Sequence, residues 1–151
     1  MKRIFGFFCF IILLVGCQGE EYAYLKGFEQ YMIETHQLDI NKNEKLFYVL
    51  PISDCNSCMG TTLNLEALKN ISQPNDKLCI VLIGKTNRQD FQESINKLST
   101  SFRVLRDDDR LIEIYQTGLD KPMLLHLNGG QLNYYLKIID SKIEKAKAYL
   151  K

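Results

Sequence analysis

The chain has 151 residues, 46% of them hydrophobic and 25% charged, a composition that excludes a disordered or collagen-like protein. Nineteen Lys and Arg stand against eighteen Asp and Glu, a net charge of +1 with no basic block, which excludes an electrostatic footprint for nucleic acid. The length suits one domain with an ordinary hydrophobic core that needs no disulfide staples.

The chain opens with Met-Lys-Arg, an apolar run from Ile4 to Val15, and Gly16-Cys17. Two positive charges ahead of a short apolar run predict a secretory signal peptide, since a stable membrane span needs ~20 residues. The end of that run, Leu14-Val15-Gly16-Cys17, resembles the lipobox of bacterial lipoproteins. The resemblance implies that residues 1–16 are removed and that Cys17 carries the lipid, several acyl chains on one residue making a firm membrane tether. An ordinary signal peptide with an incidental Cys17 is the alternative. Without Lys2 and Arg3 the balance becomes 17 against 18, a net −1. The expected location is the cell envelope, lipid-anchored. Gln18 beside the cysteine resembles the outer-membrane sorting pattern and Glu20-Glu21 a surface-export tag, so periplasmic and surface faces both stay open.

Over residues 22–38, Tyr24, Leu25, Phe28, Tyr31 and Met32 recur at helical spacing and predict an amphipathic helix. Lys45–Ile52 is apolar and β-prone, hence a buried strand. Met59, Leu63, Ala67 and Leu68 mark a helix to about Ile71, and Gln73-Pro74-Asn75-Asp76 a turn. Leu78–Ile83 is a second buried strand, and Phe91, Ile95 and Leu98 define the next helix. A short strand over Phe102–Leu105 leads through Asp107-Asp108-Asp109 into a short helix carrying Leu111, Ile112 and Tyr115. Pro122–Leu127 and Gln131–Ile138 form a hairpin around Asn128-Gly129-Gly130, and Ile139–Leu150 closes the chain as a helix. Continuous apolar strands separated by helices predict one α/β domain, a central sheet covered on both faces.

Four cysteines follow the leader: Cys17, Cys55, Cys58 and Cys79. With Cys17 lipidated, Cys55 and Cys58 are the obvious pair, while Cys79 inside a strand reads as a small buried hydrophobe. Cys55-Asn56-Ser57-Cys58 lies between a buried strand and a helix, so its first cysteine falls at a helix N-terminus. Unpaired N–H groups and the helix dipole there stabilise a thiolate, and the two-residue spacing lets the second thiol resolve a mixed disulfide. A CxxC near a βαβ pattern reads as a thioredoxin-like redox motif.

The second half extends the resemblance. Phe102-Arg103-Val104-Leu105, Asp107-Asp108-Asp109, Ile114-Tyr115 and Lys121-Pro122-Met123-Leu124-Leu125-His126-Leu127-Asn128-Gly129-Gly130 resemble the TlpA/ResA group of the thioredoxin superfamily, over roughly residues 40–150 together with the CxxC. The resemblance implies a thioredoxin-like fold with a central mixed sheet over 41–151, preceded by anchor, tether and N-terminal helix over 17–40. It also implies thiol–disulfide exchange with exported proteins, Cys55 attacking and Cys58 resolving. Pro122 would be cis and border the substrate groove with Lys121 and Asp54. The electrons would reside in the dithiol, with no dissociable cofactor, and an upstream thiol protein would regenerate it.

Several positions depart from the family. Asp54 stands where Trp is usual, and a carboxylate there opposes thiolate formation at Cys55. Val49 and Thr61 occupy places where relatives carry an acid that deprotonates the second cysteine, and Lys121 replaces a small or hydroxyl residue. These departures favour the rival reading, a non-catalytic binding or accessory lipoprotein with a structural Cys55–Cys58 disulfide. Such a short loop would stabilise the fold weakly. A zinc site lacks ligands, since only Cys79, His36 and His126 remain on separate elements, and a Sco-type copper site needs CxxxC. Pro51-Ile52-Ser53-Asp54-Cys55 only loosely resembles a peroxiredoxin motif. His126 reads as packing, His36 as a favourable cation position at a helix end, and Asp107–Asp109 as a turn and cap rather than a calcium site. Asn70-Ile71-Ser72 matches a glycosylation acceptor, discounted with a bacterial lipobox.

Overall fold

Three apolar runs of the sequence become the inner strands of a five-stranded sheet. The structure, a computed structural model, describes residues 22–53, 59–71 and 76–151. Strand β1 (Glu44–Pro51) is central, between β2 (Leu78–Ile83) and β4 (Met123–Asn128), with β3 (Arg103–Asp107) and β5 (Gln131–Lys137) at the edges. β1, β2 and β3 run parallel, and β4 runs antiparallel to both β1 and β5. The expected strand at Leu78–Ile83 forms over those residues, all six buried.

Alternation along the strands feeds two cores. Leu46, Tyr48 and Leu50 of β1, with Leu78, Ile80 and Leu82 of β2, face helices α2 (Met59–Lys69), α3 (Gln89–Ser101) and α4 (Ile143–Tyr149). Phe47 and Val49, with Cys79, Val81 and Ile83, face α1 (Leu25–His36) and the 3₁₀ turn Leu111–Tyr115. Each Leu, Ile or Phe buried in these layers contributes ~1.5–3 kcal/mol.

Helix α1 buries Phe28, Tyr31 and Met32, which the i, i+3, i+4 spacing places on one face. It ends where Gln37 turns left-handed at φ 53° and the Leu38 N–H reaches back to the Met32 carbonyl at 3.0 Å. Gly27 permits the close approach of α1 to the 3₁₀ turn, because a Cβ there would collide with the Tyr115 carbonyl. The hairpin turns at Gly129 and Gly130, φ 57° and 77°, the pair of positive angles a type I′ turn demands.

Two elements differ from expectation. Phe102 caps α3 in an extended conformation, its N–H donating to the Leu98 carbonyl at 2.8 Å, so β3 begins at Arg103 and continues to Asp107. The closing helix is split into a 3₁₀ turn, Asp140–Lys142, and α4. Ile139 stays extended, and Lys142 at ψ 0° separates the two pieces.

Candidate active site

The C-terminal ends of the three parallel strands lie side by side. The Ile52 N–H donates to the Ile83 carbonyl and the Gly84 N–H to the Asp107 carbonyl, both at 2.8 Å. The chain leaves β1 through buried Ile52 and exposed Ser53 and re-enters described structure at α2. Asp54, Cys55 and Cys58 fall between these points, outside the described residues, as does Cys17.

Pro122 precedes β4, one step beyond the registered pair Val49–Met123 towards the C-terminal end of β1. It therefore borders the edge from which residues 54–58 depart, with exposed Lys121 beside it. The Lys121–Pro122 bond is trans, since no described peptide bond is cis. This corrects the expected cis proline. An X–Pro bond prefers trans by ~0.5–1 kcal/mol unless its surroundings enforce otherwise, and here the Pro122 carbonyl instead accepts from the Ile138 N–H at 2.7 Å.

The base of α2 is tied to the central strand. Tyr48, 1% exposed, donates its hydroxyl to Asn64 Oδ1, and Asn64 Nδ2 donates to the Gly60 carbonyl at 2.6 Å. Burial pushes the Tyr48 phenol well above the usual tyrosine range. Thr61 is buried in the same turn, and Val49 lies in the α1-side core. A carboxylate that sequence spacing missed does reach this turn: Asp140 Oδ1 lies 3.7 Å from where a Gly60 Cβ would stand. Eighty residues separate them, so no local signal could have paired them.

The Asp107–Asp109 run divides its tasks. Buried Asp107 accepts from the Leu111 and Ile112 N–H groups at 2.8 and 2.9 Å, capping the 3₁₀ turn. Asp108 turns to Arg106 at 3.3 Å and Asp109 to Lys85 at 3.0 Å.

Asp107 also anchors a chain of polar groups that sequence reasoning missed. The Tyr31 hydroxyl donates to Asp107 Oδ2 at 3.1 Å. Its one proton so used, the 2.9 Å contact with His36 has Nε2–H donating to the Tyr31 oxygen. Burial, then the Asp107 charge, raises the Tyr31 phenol well beyond its usual range. Burial lowers the His36 pKa, against the pull of Asp107 and with the help of Arg103. His36 does close the last turn of α1, as expected, but burial works against its charged form there. Cys79 is a buried free thiol beside this chain, its pKa pushed up to about 11 by burial.

His126 packs part-buried between neighbours. Its Nε2–H donates to Glu44 Oε1 at 2.9 Å and Nδ1 accepts from the Tyr149 hydroxyl at 2.6 Å. Among the described residues no three His, Cys, Asp or Glu side chains converge to hold a metal.

No protein-family model and no curated protein matches the chain, but solved structures do. A secreted disulfide oxidoreductase of Mycobacterium tuberculosis, homologous to E. coli DsbE, is 12% identical over 72% of this chain and 80% of its own, with a TM-score of 0.50. StoA from Bacillus subtilis is 16% identical over 72% and 83%, TM-score 0.48. A thioredoxin-like protein solved in its oxidised form is 13% identical over 72% and 78%, TM-score 0.49. At such identities the likeness is one of architecture: the chain has an α/β thioredoxin-like fold, a mixed sheet with helices on both faces.

Proposed function

We propose that this protein is a thiol–disulfide oxidoreductase, held by lipid on Cys17 in the cell envelope and acting on exported proteins through Cys55 and Cys58. The carrying observation is that the CxxC falls in the chain between the central strand's C-terminal end and a helix of a thioredoxin-like fold, the edge Pro122 also borders. The solved structure at TM-score 0.50 is itself a secreted disulfide oxidoreductase, which supports both activity and compartment. Among the described residues no helix is long and apolar enough to cross a membrane.

In the reductive direction the Cys55 thiolate attacks one sulfur of a substrate disulfide, forming a mixed disulfide and releasing the other sulfur as a thiolate that takes a proton. The Cys58 thiolate then attacks Cys55 Sγ, releasing the second substrate sulfur. Two electrons have passed to the substrate, Cys55–Cys58 is a disulfide, and an upstream dithiol protein restores it. Oxidation is the same sequence reversed. Pro122 and Lys121 offer backbone and charge to an extended substrate beside the CxxC, with Asp54 adding a carboxylate next to Cys55.

A second reading, a non-catalytic binding lipoprotein with a structural Cys55–Cys58 disulfide, draws on apolar Val49 and neutral Thr61 where an acid would assist Cys58. Trapping separates the two. Cys58→Ser expressed in the native host should accumulate reductant-sensitive adducts on non-reducing gels, absent from a Cys55→Ser control and identifiable by mass spectrometry. Empty lanes at normal expression would sink the enzymatic reading.

A further inference from the structure

The chain emerges from the domain at a fixed point. Tyr22 is 5% exposed, its hydroxyl bonded to the Thr117 carbonyl and its ring packed 5.9 Å from Tyr24 and 5.8 Å from Tyr135. Beside it, a groove between α1 and the 3₁₀ turn is lined by Tyr24, Lys26, Gln30, Ile114 and Gln116, among others. Ile114, 72% exposed, is the most exposed large apolar side chain among the described residues. Three residues per 3₁₀ turn bring exposed Leu111 onto the same side as Ile114. Helical spacing continues Lys26 and Gln30 to exposed Ile33 on α1. Two neighbouring carboxylates are engaged within the domain: Glu34 accepts from the Tyr115 hydroxyl at 3.0 Å, and Glu113 pairs with Arg110 at 2.6 Å.

We propose that this surface, Tyr24, Ile33, Leu111 and Ile114 around Lys26, docks into the headgroup layer of the membrane that holds the lipid. The inference rests on the lipid anchor at Cys17 proposed above. Cys17 and Tyr22 are five residues apart, a span of at most about 17 Å. A domain of this size has a radius of gyration of about 14 Å, so the tether is shorter than the domain is wide. The face from which the tether emerges is therefore kept nearest the bilayer. Its chemistry fits: a tyrosine at the interface, aliphatic side chains, and an exposed lysine for the headgroups. Docking would stop the domain tumbling on its tether and hold it in one orientation towards substrates near the membrane.

The chain contains no tryptophan, so one introduced indole reports on one place. Ile114→Trp probes the face, and Lys97→Trp, exposed on α3 across the sheet, is the control. Each is made in the full lipidated chain and reconstituted into phosphatidylethanolamine–phosphatidylglycerol vesicles with brominated acyl chains. Both variants should float with the vesicles. I114W should show blue-shifted emission and severalfold quenching that persists in high salt, and K97W neither. Amide exchange of the native chain guards against an effect of the indole itself: the α1 amides should slow severalfold on vesicles, and Ile114→Glu should remove that protection without affecting flotation. Flotation with I114W behaving like K97W would overturn the docking while leaving the anchor standing. Failure to float would overturn the anchor and the docking with it. A blue shift without bromolipid quenching that grows with protein concentration would mean that a second copy covers the face, and would overturn the membrane as occupant.

Discussion

The two faces of the sheet are built from different materials. The α2/α3/α4 side is mostly aliphatic, with Leu50, Ile80, Leu82, Ile95 and Leu124 in it beside the rings of Tyr48, Phe91 and Phe102. The α1 side holds tyrosines, the Cys79 thiol and the Asp107–Tyr31–His36 chain. The α2/α3/α4 face is stabilised mainly by burial, and its one fully buried phenol, Tyr48, is pushed above the usual tyrosine range, away from neutral pH. The α1 face carries in addition an imidazole whose pKa burial lowers, so a share of its stability follows pH.

The largest effect should come from the aliphatic side. Ile80→Ala empties a site with 0% exposure and should cost ~2–5 kcal/mol. Denaturant unfolding should give the same loss at pH 5.5 and 7.5, and a pH-dependent loss would break the contrast between the faces. Next comes Asp107→Asn, which keeps the shape but turns an amide N–H₂ towards groups that donate. Tyr31 and the Leu111 and Ile112 N–H groups lose part of their acceptor, at a cost of ~1–3 kcal/mol. The urea midpoint reads it, and an unchanged midpoint would mean the buried chain does not hold that face.

His36 sharpens the comparison further. Its folded pKa lies below the ordinary 6.5, so the unfolded ring takes a proton before the folded one does. The neutral ring's contribution is therefore present above pH 6.5 and is lost as pH falls below it towards the depressed folded value. The fall in melting temperature from pH 7.5 to 5.5 should be smaller in His36→Gln than in the native chain. An identical fall would show that His36 is not what makes this face pH-sensitive.

The smallest effect on stability, though not on rate, concerns Cys79. A thiol pushed from 9.0 to about 11 has roughly a hundredfold less thiolate at pH 8. Alkylation of Cys79, followed by peptide mass spectrometry, should be slower than in urea by at least that factor. Comparable rates would place the thiol in contact with solvent.

Runs such as Leu78–Ile83 were legible because a strand buried on both faces must be apolar throughout, and Asn128-Gly129-Gly130 because only residues tolerant of positive φ make so tight a turn. The CxxC and Pro122 were legible as a motif, through spacing and resemblance. Asp140 beside Gly60 was not, nor was the partnership of Tyr31 with Asp107 across 76 residues, because contacts between distant elements leave no periodicity to read.

The sequence by itself thus determined the kinds of element, their order, and the apolar stretches that had to meet in a sheet, since propensity and burial act locally along the chain. Only the tertiary structure decided that β1 is central, that α1 and the 3₁₀ turn Leu111–Tyr115 cover the face opposite α2, α3 and α4, that burial lowers the His36 pKa, and that Pro122 is trans. Those outcomes depend on which groups are brought together in space, and on the water that packing removes from around them.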